Sequence, residues 1–481
     1  MDLLPVIDIF AGPGGLNEGF SKVEGLEGNP IFDIKGSFEM ESRAVETLKL
    51  RGARRLFLNS PGASKLYNKF LLEESASWDA LRPEFSSAFE TAEKHVHEIE
   101  LGEATRQQSD ALIRRVLKSE DDFVLVGGPP CQAYSLVGRS RRAHDATFLD
   151  DKKHFLFKEY LHILEEFEPA VFVMENVKGL LSATHGNDKM FERIKEDLEL
   201  DGTYTIRSLV VPAEQPSPED FVIRAERYGV PQRRHRVILL GVRHDIPNSP
   251  RVLAPLDSRV TLHDVLADLT PIRSRLTHDD SQVAWEYARQ VGRELARERL
   301  VELNGHAKLL DPPEVLIAGS HAVTLKKWLR VGEVPVSLHS SRAHMPRDVS
   351  RYAYHADLMA KGQRPRVFEL PEKLIPEHRN VKGEGTPFAD RFWVQRWDEP
   401  SSTIVSHLSK DGHHFIHPDP KQARSLSVRE AARLQTFPDD YWFSGPRTKQ
   451  FQQVGNAVPP YLAWQIGGVV AELLGHEPKM S

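Results

Sequence analysis

The one cysteine of the chain, Cys131, lies in a short loop that contains two prolines. The loop follows the apolar run 123–126, and segment 127–135 reads GGPPCQAYS. Structural cysteines are usually found inside apolar runs, whereas this residue follows the end of a predicted strand. In open parallel sheets that edge is where ligands bind. A thiolate placed there is a candidate nucleophile, with an inert buried thiol as the alternative.

A carboxylate and a cluster of arginines are predicted close to this cysteine. Glu175 comes directly after the apolar run 170–174, which places it at the same edge of the sheet. Segment 232–236 reads QRRHR and precedes the apolar run 237–240. Its fixed positive charges and planar donors suit phosphate or base contacts. A capping role for Glu175 and a solvated charged face for the arginines remain the alternatives.

A glycine-rich turn near the start of the chain is typical of a cofactor site. Segment 8–15 reads DIFAGPGG, where an apolar strand meets a helix whose N-terminus faces the turn. The dinucleotide fingerprint is broken, because Asn17 occupies the position of its third glycine. Glu39 follows the next predicted strand and is placed to accept hydrogen bonds from ribose hydroxyls. A structural tight turn is the alternative for the glycines.

The elements that must position these residues alternate between strands and helices. A helix is predicted over 156–167, where apolar residues recur at helical spacing between two strands. This β-α-β alternation predicts the α/β class, with a parallel sheet and helices on both faces. The predicted strands span residues 5–10, 31–38, 123–127, 170–174, 205–211 and 237–241.

The length of 481 residues exceeds one comfortable hydrophobic core, so we expect a large domain and a smaller one. We predict a catalytic and cofactor-binding domain over 1–243 and a second domain over 244–424. The second region is rich in turns, with one amphipathic helix over 281–303. Residues 425–481 are predicted to form a C-terminal segment. Residues 51–93 resemble an insertion of short helices and loops, to which no function is assigned.

The composition restricts the class of protein. Hydrophobic residues make up 40% and charged residues 27%, as in ordinary soluble globular proteins. The net charge of −6 argues against indiscriminate coating of nucleic acid but leaves local basic patches open. One cysteine excludes an intramolecular disulfide framework, a multi-thiolate zinc site and the zinc-dependent deaminases. With no apolar run of about 20 residues and no secretion signal, we expect a cytoplasmic protein that binds neither membrane nor metal.

Six segments, taken in order, resemble the motifs of the DNA cytosine-5 methyltransferase family of bacterial and phage type. They span residues 8–15, 129–135, 175–177, 232–236, 429–438 and 453–460. The resemblance implies a class I, Rossmann-like methyltransferase sheet that uses S-adenosyl-L-methionine. It also implies a smaller, irregular target-recognition domain between the motifs and a C-terminal segment that returns to the first domain.

The resemblance implies a role for individual residues of the motifs. Cys131 matches the family's nucleophile, Glu175 the acid that engages cytosine N3, and Arg234 and Arg236 the arginines near the flipped base. Gln132, Ser135, Arg233 and Thr403 are expected to contact DNA. One position departs from the family, which usually has Asp-Ile where 98–99 reads Glu-Ile, so Glu98 is the nearest match to the adenine-binding acid. The residues expected around the cofactor are Phe10, Gly12, Gly14, Glu39, Met40, Glu98, Pro130, Leu156, Asn456 and Val458.

The implied reaction is methylation of C5 of a cytosine flipped out of a specific duplex DNA sequence. We expect a monomer that acts at the nucleoid, and a cognate restriction endonuclease acting separately is a candidate partner. An RNA (tRNA) cytosine-5 methyltransferase is the nearest alternative. One RNA class needs two cysteines, and another has a much smaller recognition region. A non-catalytic DNA-binding protein would not need both Cys131 and Glu175, and a nicotinamide dehydrogenase fits the glycine turn alone.

Overall fold

The structure is a computed structural model of the 481-residue chain. It describes residues 3–73, 77–118, 122–129, 154–182, 184–185, 188–303, 320–330, 332–377 and 390–480. Cys131 lies outside the described residues, as do Pro130, Gln132 and Ser135. The predictions for these four positions therefore stay predictions.

Eight strands of the described residues form the central sheet. They are β1 (Leu4–Ile9), β2 (Phe32–Glu39), β3 (Val96–Glu98), β4 (Val124–Gly127), β5 (Val171–Val177), β6 (Tyr204–Arg207), β7 (Val222–Arg224) and β8 (His235–Arg243). Their order is β3-β2-β1-β4-β5-β8-β6, with β7 paired to β8 beside this path. The chain order reverses between β1 and β4, and in open α/β sheets such a switch point is where ligands bind.

Fourteen α-helices lie in the part of the chain that the structure describes. They are α1 (Gly15–Phe20), α2 (Ser42–Phe57), α3 (Ala63–Leu72), α4 (Ser86–His95), α5 (Arg106–Leu117), α6 (His154–Phe167), α7 (Met190–Glu199), α8 (Leu262–Leu266), α9 (Gln282–Leu303), α10 (Ser320–Leu329), α11 (Pro346–Met359), α12 (Val428–Leu434), α13 (Arg447–Asn456) and α14 (Pro460–Leu473).

Shorter elements connect these helices and strands. Two pairs of two-residue strands lie outside the sheet, Thr184–His185 with Asp188–Lys189 and Arg275–Leu276 with Ala343–His344. The 3₁₀ turns span Trp78–Leu81, Glu103–Thr105, Lys178–Ser182, Leu200–Gly202, Pro218–Phe221, Ala225–Tyr228, Val367–Glu369, Glu372–Leu374 and Ser406–Ser409.

The sheet is buried on both faces because its strands are apolar at successive positions. In β1, Val6 faces a cluster that includes Phe20 of α1 and Ile466 of α14. Its neighbour Ile7 faces the opposite cluster, which includes Ile113 of α5. Helices α6 and α7 contribute to this second cluster as well. The α/β layering predicted from the sequence is therefore confirmed.

The prediction of a wholly parallel sheet is wrong for its last part. Strands β1 to β5 pair in parallel, but β8 runs antiparallel to β5, β6 and β7. The alternation of apolar segments does not encode strand direction, and the 3₁₀ turn and strand β7 that precede β8 were not predicted. The short strand β3 was not predicted as a strand either.

Strand β5 is longer than predicted, because its antiparallel partner continues the hydrogen-bond ladder. The parallel partner β4 ends at Gly127, opposite Met174, whereas β8 pairs with β5 as far as Val177. Glu175 therefore lies within β5 rather than directly after it. The helices predicted over 156–167 and 281–303 are confirmed as α6 and α9.

Candidate active site

The parallel strands end together and bring three motifs to one edge of the sheet. Ile9, the last residue of β1, pairs with Gly127 of β4, and Gly127 pairs with Met174 of β5. The next residues along the three strands, beginning with Phe10, Gly128 and Glu175, therefore meet at this edge. This is the juxtaposition that the sequence predicts.

The turn after β1 has a backbone conformation that suits a ligand. Phe10, Gly12 and Gly14 have φ values of 56°, 54° and 89°, in the left-handed region. A bulky residue rarely adopts this conformation, and such strained residues cluster at binding sites. A Cβ added at Gly12 would meet no atom within 4 Å, so open space lies beside the turn.

The C-terminal segment closes the other side of this turn. A Cβ at Gly15 would lie 2.1 Å from the Val458 carbonyl oxygen, so only glycine permits this approach. The Tyr441 hydroxyl donates a hydrogen bond to the carbonyl of Pro13. Val458 is buried, whereas Asn456, the last residue of α13, is exposed. Tyr441 and Val458 are therefore held against the glycine turn.

The carboxylate of Glu39 is held across the turn by backbone N–H groups. Its Oε2 accepts from Gly12 N at 2.7 Å, and its Oε1 accepts from Met40 N at 2.9 Å and Glu41 N at 2.8 Å. Burial raises the pKa of Glu39, and these three hydrogen bonds oppose the rise. The carboxylate is thus oriented before any ligand arrives, with lone pairs left for a hydroxyl donor.

Other residues expected around the cofactor surround the same edge. Met40 exposes 58% of its surface beside Glu39. Glu98, at the end of β3, is in register with Glu39 and is exposed. Leu156 is half-buried in the first turn of α6. The open space beside Gly12, the oriented carboxylate and the exposed apolar Met40 side chain fit an adenosine-containing cofactor.

Glu175 and Arg236 form an ion pair at the carboxyl edge, the edge of the sheet at which β1 and β4 end. Arg236 Nε lies 2.8 Å from Glu175 Oε1, and the two side chains expose 16% and 14% of their surfaces. They can meet because Glu175 pairs with Ile238 across the two strands, which makes Arg236 its diagonal neighbour on one face. The second oxygen, Oε2, lies 3.1 Å from a Cβ added at Gly128. A side chain at position 128 would crowd this oxygen, and glycine leaves the space beside it open.

The segment that leads to Cys131 contacts β5 at the residue after Glu175. Asn176 Nδ2 donates to the Pro129 carbonyl at 3.4 Å. Cys131 follows Pro129 by two residues.

Arg234 has partners different from those of Arg236. Its guanidinium is buried, and Nη1 donates to the carbonyls of Ile404 at 3.0 Å and Gly455 at 3.2 Å. Burial lowers the pKa of Arg234 to about 9, and the like charge of Arg236 adds to the effect. Arg234 thus connects the start of β8 to the segments around Ile404 and Gly455. Among the described residues it makes no hydrogen bond or ion pair with Glu175.

Arg233 and Thr403 connect segment 401–403 to the residues that precede β8. Thr403 Oγ1 donates to the Arg233 carbonyl at 2.6 Å, and Arg233 N donates to the Ser401 carbonyl at 2.8 Å. The Arg233 guanidinium is paired with Glu399. Both predicted DNA-contacting residues are therefore adjacent, and the Thr403 hydroxyl has a structural partner.

Sequence reasoning missed Gln232, although it lies within a motif. The residue is completely buried, and its Nε2 donates to the Leu434 carbonyl at 2.9 Å and to Gln435 Oε1. Its Oε1 accepts from Ile404 N at 3.0 Å, and Gln435 in turn donates to the Ala457 carbonyl. A buried glutamine among charged residues is a signal of such a connecting role, because buried amides need partners.

Within the described ranges, no group of three or more His, Cys, Asp or Glu side chains could hold a metal ion. None of the helices described is both long and apolar enough to cross a bilayer.

Comparisons with known proteins agree on one family. The family model "C-5 cytosine-specific DNA methylase" matches residues 84–472. Type II methyltransferase M.Bpa9945I of Bacillus paralicheniformis is 35% identical over 494 residues, which cover 98% of this chain and 99% of the relative. Type II methyltransferase M.AgeI of Thalassovita gelatinovora is 30% identical over 382 residues, covering 70% of this chain and 80% of the relative.

A solved structure shares the fold. It is titled as a DNA modification methyltransferase encoded within a prophage of E. coli, and it matches with a TM-score of 0.54 and 19% identity. The match covers 98% of this chain and 100% of that chain. The class I fold predicted for the sheet is confirmed.

Proposed function

The chain belongs to the family of C-5 cytosine-specific DNA methylases, and we propose that it methylates a flipped cytosine through a covalent bond from Cys131 to C6. It is a DNA cytosine-5 methyltransferase of restriction-modification type that uses S-adenosyl-L-methionine. The observation that carries the proposed mechanism is the Glu175–Arg236 pair at the edge where Gly128 leads into the cysteine loop.

The cofactor would be held by the glycine turn and the ends of β2 and β3. Glu39 would accept the ribose hydroxyls, Met40 would lie against the adenine, and Glu98 would accept from the adenine amine. Phe10, Gly12, Gly14, Pro130, Leu156, Asn456 and Val458 would complete the pocket. When bound, S-adenosyl-L-methionine supplies an electrophilic methyl group on sulfur.

Cytosine C5 is a weak nucleophile, so the enzyme first adds a thiolate to C6. The Cys131 sulfur forms the bond to C6, and the C5=C6 electron pair moves toward C5 and N3. Glu175 in its protonated form gives a proton to N3 as charge develops there, and Arg236 Nε, beside Oε1, stabilises the carboxylate that remains. C5 then has the electron density to accept the methyl group.

Release reverses the addition. A base removes the C5 proton, the C5–H electrons re-form the C5=C6 bond, and the sulfur leaves as thiolate. Glu175 takes back the proton from N3, which restores both groups. Because C6 is inaccessible inside a duplex, the target cytosine must be flipped into the site.

Arg233, Thr403, Gln132 and Ser135 would contact the double-stranded DNA beside the flipped base. Residues 244–424 would read its sequence, while 1–243 and 425–481 carry out the chemistry. We propose that the protein acts as a monomer in the cytoplasm, associated with the nucleoid when bound to DNA. A cognate restriction endonuclease would act separately on the same sequence.

A fluorinated substrate tests the covalent step. DNA with 5-fluorocytosine at the target should accept the Cys131 sulfur and the methyl group, but fluorine cannot leave as a proton. We therefore expect a protein–DNA complex that survives denaturing electrophoresis when S-adenosyl-L-methionine is present. Because the chain has one cysteine, a peptide map assigns the attachment unambiguously.

The control is Cys131→Ala, which should form no adduct and still bind the cofactor in a calorimetric titration. Without cofactor the wild-type adduct should not accumulate, since addition alone is reversible. Methylation of ordinary DNA by a protein that forms no resistant complex with the fluorinated DNA would reject the covalent mechanism.

A further inference from the structure

Three side chains of the proposed recognition region form a stacked column at the surface. The Arg364 guanidinium lies over the ring of Trp393, and on Trp393 the ring of His414 stacks at 5.4 Å with an interplanar angle of 22°. Arg364 and His414 are exposed and Trp393 is half-buried. Neighbouring Phe392 and Val394 face the core, so the alternation of the chain directs Trp393 outward.

The column is connected to the active-site edge through a short series of hydrogen bonds. Buried Gln395 donates to the His414 carbonyl at 3.1 Å and accepts from Ser402 N at 3.0 Å. Ser402 is followed by Thr403, which donates to the Arg233 carbonyl. The stack is thus held in a fixed position relative to the strand that carries Arg236.

Arg364 differs from the other arginines of this surface in its partners. Arg233 pairs with Glu399, Arg396 with Asp398 at 2.7 Å, and Arg391 with Asp411 at 3.2 Å. Within the part of the chain that the structure describes, Arg364 has no ion pair or hydrogen bond, and its recorded contact is with Trp393.

Both acidic and basic side chains surround the guanidinium of Arg364. Partial burial against Trp393 lowers the pKa of Arg364, the acids Asp390 and Glu399 oppose this, and the positive charges of Arg396 and Arg233 add to it. The guanidinium is still fully protonated near neutrality, since arginine remains charged in proteins. No acceptor among the described residues occupies its donors, which suits a ligand that approaches the proposed DNA side.

We propose that Arg364, held over the ring of Trp393, reads a guanine of the recognition sequence through a bidentate hydrogen bond. This inference rests on the proposed role of residues 244–424 in DNA recognition. A guanidinium donates two parallel N–H bonds to guanine O6 and N7 in the major groove. Contact with the Trp393 ring restricts the motion of the guanidinium, which lowers the entropic cost of binding a base edge in one orientation.

A phosphate contact would not need this geometry. A flexible cation at the surface neutralises phosphate from many directions and carries no sequence information. The two contacts therefore predict different behaviour for Arg364→Lys. Lysine keeps the charge for a phosphate but lacks the planar fork for a base.

The test first locates the wild-type site by bisulfite sequencing and then replaces each base pair of that site in turn. For Arg364→Lys we expect discrimination at one G·C pair to fall by roughly 10- to 100-fold in kcat/KM ratio. The other positions should keep their discrimination. The salt dependence of binding should change little, because the charge is retained.

Two further variants separate the stack from the charge. Trp393→Leu should relax the same G·C pair, and Trp393→Phe should restore most of the discrimination. The matched control is Arg82→Ala, because Arg82 also lies over a tryptophan, Trp78, at 4.9 Å, but has its donors occupied by Glu93 and Asp79. Its loss should leave every position of the site unchanged.

Uniform loss of affinity across all sequences in Arg364→Ala, with a salt slope lower by about one charge, would show a phosphate contact and overturn the proposal. An unchanged specificity profile in Arg364→Lys would overturn it as well. Either result leaves wild-type methylation and the fluorocytosine adduct intact, so it is distinct from a failure of the proposed chemistry.

Discussion

Glu175 is the residue whose replacement tests the chemistry of the site most directly. In Glu175→Gln the amide keeps the size of the side chain but cannot give a proton to N3. We expect single-turnover methyl transfer to fall by roughly 100- to 10,000-fold. Binding of the cofactor and of DNA should be retained within a few-fold, because Glu175 is expected to touch neither the ribose nor the phosphates.

The matched control is Glu226→Gln. Glu226 is also a shielded carboxylate paired with the arginine-rich motif, through His235 Nε2 at 2.9 Å, the residue beside Arg236. Within the described residues Glu226 pairs with His235 and not with Glu175 or Arg236, so its variant should keep turnover within a few-fold. Near-normal turnover in Glu175→Gln would remove the acid role from this residue.

The two motif arginines show what residue types alone cannot predict. The family resemblance assigns Arg234 and Arg236 equally to the region of the flipped base. In the structure Arg236 faces Glu175, while Arg234 bonds backbone carbonyls of Ile404 and Gly455. Those partners are distant in sequence, so no local pattern could have separated the two roles.

Gln232 connects the segment before β8 to α12 and to Ile404, and the variant Gln232→Leu tests this connection. Leucine leaves the Ile404 N–H and the Leu434 carbonyl buried without their side-chain partner, at a cost of roughly 1–3 kcal/mol for each group. We expect the free energy of unfolding to fall by about 3 kcal/mol, measured by urea denaturation with an unchanged m value.

Gln282→Leu provides the comparison, because exposed Gln282 also donates to a side chain, Glu286, at 2.8 Å on the surface of α9. Its loss should change the free energy of unfolding by less than about 0.5 kcal/mol. Equal effects of the two variants would show that the Gln232 hydrogen bonds do not stabilise the contact between the motifs.

At the scale of elements, apolar spacing predicted most strands of the sheet and the helices α6 and α9. It could not predict that β8 runs antiparallel, because strand direction depends on the connection and not on the strand's own residues. That reversal matters for the site, since the antiparallel register makes Arg236 the diagonal neighbour of Glu175. The strand pattern placed both residues near this edge, and the motif resemblance gave each of them a role.

At the scale of the whole molecule, one hydrophobic cluster crosses the predicted domain boundaries. It contains residues of α2 to α4, of 260–269, of 322–338 and of 404–461. A second cluster is built almost wholly from α9, α11 and the segments around 367–374 and 392–394. The boundaries at 243 and 424 stay predictions. A pattern of turns could not reveal the first cluster, which we call the shared core, because its members are distant in sequence.

This shared core determines how an exchange of the predicted recognition region should be designed. Replacing residues 244–424 by those of a relative with another target changes many positions of the first cluster, such as Val260, Leu325 and Ile404. Each core residue that fits poorly lowers the free energy of unfolding by roughly 1–3 kcal/mol. A joint exchange of 275–303 and 346–402 carries α9, α11 and the Arg364–Trp393 stack, and it leaves every buried position of the first cluster unchanged.

We therefore expect the two-segment chimera to keep a melting temperature close to that of the wild type, and the exchange of 244–424 to melt lower. Both α9 and α11 must be exchanged together, because they pack closely. A Cβ at Gly292 of α9 would lie 2.0 Å from the Ser350 carbonyl oxygen of α11. Bisulfite sequencing should show the donor's specificity with the fluorocytosine adduct retained. A folded, active chimera that still methylates the original site would place sequence recognition outside these two segments.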